Sequence, residues 1–297
     1  MYRRFYGLIR PPFEMTPDPA FLYLGETHRE GLATLVYGVR SRKGFVMLTG
    51  EVGTGKTTLL HALLAQLDAH TDSAYIFNPS LEPLDFFKLL FEDLGIAASC
   101  SSKAEYLVAL NDFLIDRLQK NRTVLLIIDE AQNLSCEMLE EIRLLSNLET
   151  PTSKLIQILL VGQPELGEML DRDDLRQLRQ RIVLRHELEP FDADELEAYV
   201  DERLRLAGYT GKGIFKRSAL RELHAVTGGV PRLVNVVCDG ALLTGYGRDQ
   251  ITLGAEIIRE VANDLHLQRG AIAAAGEADR ARGGASSRRR GLLGLFR

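Results

Sequence analysis

Gly50-Glu51-Val52-Gly53-Thr54-Gly55-Lys56-Thr57-Thr58 is the stretch on which the reading of this chain turns. It fits the pattern Gly, four residues, Gly-Lys-Ser/Thr. An apolar run, Phe45-Val46-Met47-Leu48, leads into it, and a helical pattern, Leu59-Leu60-His61-Ala62-Leu63-Leu64, leaves it. Strand, loop and helix in that order are the setting in which such a loop cradles phosphate oxygens. The glycines let the backbone curl until its N–H groups face inward. The N-terminus of the following helix adds partial positive charge. In that frame Lys56 reaches the β- and γ-phosphates and the Thr57 hydroxyl ligates Mg²⁺. All nine residues from Gly50 to Thr58 are therefore expected to bind nucleotide.

Outward from the loop, strands alternate with helices. Four further strands are expected at Ala74–Phe77, Val124–Ile128, Ile156–Val161 and Ile182–Leu188. Val124–Ile128 is continuously apolar, as a strand covered on both faces should be. Helical patterns occupy His28–Val39, Pro83–Leu94, Lys103–Gln119, Cys136–Leu148 and Glu165–Leu170. This alternation predicts an α/β domain with a parallel, five-stranded sheet flanked by helices. After Pro190 the strand signals stop. Asp192–Leu206, Lys216–Val226, Pro231–Thr244 and Leu253–Leu265 read as amphipathic helices, with Asp192 and Glu195 spaced as a capping box. The expected organisation is an α/β nucleotide-binding domain over 1–189, a small all-helical lid over 190–268, and a disordered tail over 269–297, rich in Arg, Gly and Ala.

Composition narrows the setting. The 297 residues are 45% hydrophobic and 26% charged, ordinary for a soluble globular protein. The start, Met1-Tyr2-Arg3-Arg4-Phe5, lacks the apolar core of a signal peptide. Three scattered cysteines, Cys100, Cys136 and Cys238, form no metal-type spacing. A cytoplasmic protein with reduced thiols is expected. Seven arginines against Glu277 and Asp279 fall from Arg269 onward, which leaves 29 basic and 39 acidic residues over 1–268. A body this acidic is a poor general magnet for nucleic acid.

The second half of a nucleotide site is legible in Thr123-Val124-Leu125-Leu126-Ile127-Ile128-Asp129-Glu130. An apolar strand that ends in two acids suits a metal-organising carboxylate, Asp129, acting through the water shell of Mg²⁺. Glu130 is then placed to orient or deprotonate the water that attacks the γ-phosphate. The alternative is that Asp-Glu caps the next helix. Gln163, after the strand that ends at Val161, can orient water or sense the γ-phosphate; the alternative is a turn residue before Pro164. Arg176, Arg179 and Arg181 lead into the last strand. One of them can act as an arginine finger on a neighbouring subunit, or they form a solvated basic face at a helix end. Arg232 lies in the first turn of a helix opened by Gly228-Gly229-Val230-Pro231, where a cation opposes the helix dipole, and contact with nucleotide would explain it.

Together these motifs resemble a P-loop ATPase of the AAA+ superfamily. The resemblance is closest to the general secretion pathway protein A family, of the ExeA type, with relatives in MSHA pilus and exosortase-linked gene sets. It is carried by Phe5-Tyr6-Gly7-Leu8, Pro12-Phe13, Thr16-Pro17-Asp18-Pro19, His28-Arg29-Glu30, Arg42-Lys43-Gly44-Phe45 and the loop itself. Asp129-Glu130-Ala131-Gln132-Asn133-Leu134, Leu145-Ser146-Asn147-Leu148-Glu149-Thr150, Gly162-Gln163-Pro164-Glu165-Leu166, Gln180-Arg181-Ile182 and Gly229-Val230-Pro231-Arg232 continue it. The match spans about residues 1–265.

The resemblance implies a Walker A motif with Lys56 and Thr57, a Walker B pair Asp129 and Glu130, Gln163 as sensor 1, Arg232 as sensor 2 and Arg181 as the finger. It places the segment around Pro12, Phe13 and His28 on the adenine side. The implied activity is Mg²⁺-dependent ATP hydrolysis that drives or regulates a bacterial envelope machine such as a secretion, pilus or exosortase system. A nucleic-acid-associated ATPase and a nucleotide-gated scaffold with little turnover are the alternatives. The implied partners are ATP, further copies of the chain, and an unidentified envelope-assembly protein. Secretion-type members often continue into a transmembrane helix and a periplasmic domain. Here the sequence ends in Ser286-Ser287-Arg288-Arg289-Arg290-Gly291-Leu292-Leu293-Gly294-Leu295-Phe296-Arg297. That tail suits weak peripheral attachment to the inner membrane or a docking motif, or else an unstructured end.

Overall fold

The computed structural model describes residues 1–14, 23–67, 70–77 and 82–267. Thr16-Pro17-Asp18-Pro19 and the expected disordered tail 269–297 lie outside the described residues. In chain order the elements are α1 (Tyr2–Phe5), α2 (Glu26–Arg40), β1 (Phe45–Gly50), α3 (Lys56–Gln66), β2 (Thr71–Ile76), α4 (Pro83–Asp93), α5 (Lys103–Gln119) and β3 (Thr123–Ile128). Then come α6 (Cys136–Leu145), β4 (Ile156–Gly162), α7 (Glu165–Leu170), α8 (Arg176–Arg181), β5 (Ile182–Leu188), α9 (Ala193–Leu206), α10 (Arg217–Thr227), α11 (Pro231–Gly247) and α12 (Ala255–Asp264).

The five strands form one parallel sheet in the order β2-β3-β4-β1-β5. Side chains alternate across it, as the two-residue period of a strand requires. Phe45, Met47, Leu126, Ile128, Ile158 and Leu160 enter a core with residues from α4 to α8. Val46, Leu48, Leu125, Ile127, Leu159 and Val161 face a second core built with α2 and α3. Both faces of the central strands are thus covered, and β1 and β4 are buried at every residue. At the edge, β5 alternates between buried and exposed residues and Val183 faces solvent.

Register fixes what lies where. Thr49 is level with Gly162, and Ile128 with Leu160. Gly50, Asp129 and Gln163 therefore all emerge along one edge of the sheet, at the carboxyl ends of the strands. β2 begins earlier than its apolar pattern suggests because Thr71 pairs level with Thr123. Phe77 then falls beyond the strand and is 74% exposed. Helix α6 ends at Leu145, three residues short of the expected Leu148. The Ser146 hydroxyl donates to the Arg143 carbonyl at 2.7 Å, taking an acceptor that a continuing helix would use.

The chain divides into two compact units, Thr16–Pro190 and Met1–Met15 with Phe191–Arg297. Residues 1–14 group with the C-terminal helices, whereas the sequence pattern alone assigns all of 1–44 to the α/β domain. The bonds of this segment show why. The Ile9 amide donates to the Ala207 carbonyl at 2.8 Å. Arg203 donates from Nε to the Pro12 carbonyl at 2.6 Å and from Nη2 to the Glu14 carbonyl at 3.2 Å. Phe13 is buried edge-to-face on Phe215. A proline-rich irregular segment carries no period that tells which core its apolar residues enter.

Within this helical unit the expected capping box is present. The Asp192 side chain accepts from the amides of Asp194 and Glu195, and the Glu195 side chain accepts from the Asp192 amide. Gly229, at φ +76°, packs so tightly on Phe191 that a Cβ there would lie 1.9 Å from the Phe191 carbonyl oxygen. Only glycine fits this joint between the lead-in to α9 and the α10–α11 turn.

Candidate nucleotide site

The loop after β1 is built from within. Gly53 (φ +85°) and Gly55 (φ +103°) take the left-handed conformation that the curl needs. Gly55 also caps α3, so Lys56 is the helix's first residue. Lys56 is buried, and its Nζ donates to the carbonyls of Gly50 at 2.6 Å and Glu51 at 3.1 Å. Thr54 is fully buried and donates from Oγ1 to the Glu51 carbonyl at 2.9 Å. The ammonium thus spans the loop that phosphates would fill. Burial pulls the Lys56 pKa down, while Glu130, Asp129, Glu51 and Glu165 push it back up. The two acids after β3 are therefore within electrostatic reach of this cation. Thr57 stands exposed in the first turn of α3 and Thr58 is half-buried.

His28 lies against the loop backbone. It is buried on α2, with Nε2 2.8 Å from the Thr54 carbonyl oxygen. A carbonyl only accepts, so Nε2 carries the proton. The resemblance assigns this ring to the adenine side; the structure shows it bracing the loop.

Asp129 follows the last residue of β3 and is buried. One carboxylate oxygen, Oδ1, accepts from the Glu130 amide at 2.9 Å. The other, Oδ2, accepts from the Tyr75 hydroxyl of β2 at 2.6 Å. Desolvation and then the bond to Asp129 raise the Tyr75 pKa, so the phenol is a fixed donor. Nothing in the local sequence marks Tyr75. It becomes visible once β2 is known to pair with β3, with Tyr75 level with Ile127.

Glu130 adopts φ +52° and ψ +38°, a left-handed backbone rare outside glycine. Its Oε2 accepts from Gln132 Nε2 at 2.6 Å and from Gln163 Nε2 at 3.3 Å. Gln132 also accepts, at Oε1, from the Gln163 main-chain amide at 3.1 Å. The structure thus brings Glu130 and Gln163 together and adds Gln132 between them. The sequence signal for Gln132 is its place two residues after the acid pair, at the end of a strand adjacent to the one Gln163 follows.

Arg176, Arg179 and Arg181 precede the start of β5, at the amino edge of the sheet. Ile182, after Arg181, pairs level with Phe45, the first residue of β1. The loop follows Gly50 at the other end of that strand, about 17 Å away at the rise of an extended chain. Arg181 donates to Ser146 Oγ at 2.6 Å and Asn147 Oδ1 at 2.7 Å. Arg179 pairs with Asp171, and Arg176 is exposed. In the helical unit Arg232 is exposed in the first turn of α11, directly after Pro231. Pro12 and Phe13 belong to the same unit, Pro12 through its carbonyl bond to Arg203 and Phe13 as a core side chain.

Among the described residues no group of three or more His, Cys, Asp or Glu could hold a metal by itself. The oxygens at this edge, from Thr57 and Asp129, fit a hard cation bound partly by phosphate, which is how Mg²⁺ is usually held. No helix among the described residues is long and apolar enough to cross a membrane.

Comparison with known proteins agrees with this geometry. The family model described as an AAA domain matches residues 39–170. That stretch of the chain thus carries an AAA domain of the P-loop class. Within that class it is similar to general secretion pathway protein A of Aeromonas hydrophila, 45% identical over 249 residues. The alignment takes in 84% of this chain and 45% of the relative, so the chain spans less than half of that protein's length. Among solved structures, the ORC2 protein of Aeropyrum pernix in ADPNP–ADP complexes superposes with a TM-score of 0.62 at 19% identity, covering 86% of this chain and 71% of that one. A Walker-type ATPase of Pyrococcus abyssi gives 0.59 at 18% identity, over 92% and 80% of the two chains. At such identities these likenesses speak to the fold alone.

Proposed function

We propose that this chain binds ATP with Mg²⁺ and hydrolyses it, and that the cycle drives or regulates assembly of a bacterial envelope machine. The observation that carries the chemistry is the meeting of loop and acids at one edge of the sheet. Lys56, Asp129 and Glu130 interact there, and Gln132 and Gln163 hold the Glu130 carboxylate. In this reading Lys56 leaves the Gly50 and Glu51 carbonyls for the β- and γ-phosphates. The loop amides from Gly50 to Thr58 wrap the same oxygens. Thr57 and Asp129 hold Mg²⁺, which when bound neutralises charge on the phosphate oxygens. Glu130 takes the proton of the attacking water, and Gln163 helps to place that water.

Arg181 is too far from its own loop to touch the γ-phosphate. A role there belongs to a neighbouring copy, so the reading includes a homo-oligomer. Arg232 is the proposed contact of the helical unit with nucleotide. The envelope pathway rests on the similarity to general secretion pathway protein A, and a cytoplasmic site of action is part of the same proposal.

Phosphate release from Mg-ATP by the purified chain tests the proposal. Glu130→Gln is expected to lower kcat by about 10²- to 10⁴-fold while nucleotide affinity stays within threefold. Wild-type protein that binds ATP yet shows no turnover, alone or with candidate envelope partners, rules hydrolysis out.

A further inference from the structure

Gln132 makes the shortest contact to Glu130 in the structure, yet it neither moves a proton nor binds phosphate in the proposed reaction. Its amide is committed at both ends. Nε2 donates to Glu130 Oε2 at 2.6 Å, and Oε1 accepts from the Gln163 amide at 3.1 Å. The direct bond from Gln163 Nε2 to the same carboxylate oxygen is longer, at 3.3 Å. Gly162, the last residue of β4, makes room for this arrangement: a Cβ there would lie 2.7 Å from Gln132 Oε1. The backbone between the two partners is also constrained. Glu130 sits in the left-handed region, and Ala131–Asn133 form a 3₁₀ turn that returns the Gln132 side chain to the carboxylate two residues earlier. A non-glycine residue keeps such a conformation only where its surroundings over-determine it.

We propose that Gln132 is the positioning residue of the hydrolytic step. Its amide ties the Glu130 carboxylate to the end of β4, fixing which oxygen faces the attacking water. The inference rests on the hydrolytic reading of the site. A charge-assisted bond of 2.6 Å is the stronger kind, so Gln132 sets the carboxylate's orientation more than the Gln163 side chain does. Gln163 then serves mainly through its main-chain amide, which orients Gln132. Gln132 is half-buried behind the carboxylate and makes no bond to the phosphate loop among those resolved.

The test uses the full chain, with kcat and KM measured for Mg-ATP and affinity measured by titration with a fluorescent ATP analogue. Gln132→Met keeps the length and loses both polar bonds. It should lower kcat by about 10- to 100-fold, the usual cost of a misplaced catalytic group, with KM and affinity within threefold of wild type. Gln132→Glu is the sharper variant. It keeps an oxygen for the Gln163 amide but turns a like charge on Glu130, so its kcat should be at least as low. Retention of wild-type kcat by Gln132→Glu would overturn the proposal, because the bond to Gln163 alone would then suffice. Parallel loss of affinity and kcat in Gln132→Met would overturn it too, as the mark of a merely structural residue. If thermal melts show that Gln132→Met does not fold, the near-isosteric Gln132→Glu decides. Active wild type with unaffected variants defeats only this assignment. Wild type that binds without turnover defeats the hydrolytic reading and this assignment together.

Discussion

The phosphate loop and the acidic edge of β3 sit along one side of one sheet, yet they are built in opposite ways. The loop is held mostly from within, with His28 of α2 bracing the Thr54 carbonyl. Its ammonium bonds to carbonyls five and six residues away, its buried hydroxyl bonds three residues back, and two left-handed glycines shape it. The acids are held by others. Asp129 relies on Tyr75, 54 residues away, and Glu130 on Gln132, which the Gln163 amide, 31 residues further on, holds in turn. A locally closed structure can be encoded as a motif. A structure closed through the sheet depends on strand order, and only the fold brings its parts together. The loop should therefore fail all at once when its cation is lost, while the acidic edge should fail by degrees as single partners go.

The largest expected effect breaks the loop. Lys56→Ala removes the only cation bonded to the loop among the resolved contacts. Charge-assisted bonds to two phosphates are worth about 1.5–3 kcal/mol each, so ATP affinity should fall by about 100-fold or more. The buried carbonyls of Gly50 and Glu51 also lose their donor. Titration with a fluorescent ATP analogue measures this. A loss under tenfold would mean that the backbone amides alone carry the phosphates, and the contrast between a self-contained loop and a dependent edge would weaken.

A middle-sized effect tests the other side. Tyr75→Phe deletes one hydroxyl and leaves the ring. The donor it removes is worth about 1 kcal/mol, or about fivefold. The Mg²⁺ concentration for half-maximal phosphate release should rise by that factor, because the Asp129 carboxylate is free to turn. A fall instead would show that the phenol competes with the metal for Oδ2 rather than orienting the group.

The same division explains what is legible in the sequence. Strands β1, β3, β4 and β5 and helices α5 and α7 stand where apolar periodicity puts them, because each buries a continuous face or a regular stripe. The loop residues Gly50–Thr58 and the pair Asp129 and Glu130 are readable from local spacing. Tyr75 and Gln132 are not, since an aromatic or an amide near a strand end has no meaning until its neighbour strand is known. The resemblance places Phe13 on the adenine side, and its side chain packs in the core of the helical unit. An isolated aromatic in a proline-rich segment looks the same in either role. Short α8 is likewise indistinct, with Leu178 its one buried residue.

The smallest effect supplies the control, at the far end of the strand that carries Tyr75. Asp72 lies near the start of β2 and receives Arg122 in two bonds, from Nε at 2.8 Å and from Nη2 at 2.6 Å, with Arg117 beside it. The Arg122 hydrogen bond holds the Asp72 carboxyl below its ordinary value, against a smaller opposing push from burial. A carboxylate whose folded pKa is depressed stabilises the fold above its unfolded pKa, about 3.9. That contribution is lost as pH falls through the folded value. Asp72 is 22% exposed, so solvent screens the pair and about 1 kcal/mol is the expected scale. Asp72→Asn should lower stability by that amount at pH 7 in urea melts, and the gap from wild type should close below about pH 4. Phosphate release per folded molecule should not change, because Asp72 sits at the amino edge of the sheet, level with Val124, while the acids emerge at the carboxyl edge. A change in turnover would show that β2 transmits strain along its length to Tyr75, and the acidic edge would then depend on the whole strand rather than on one hydroxyl.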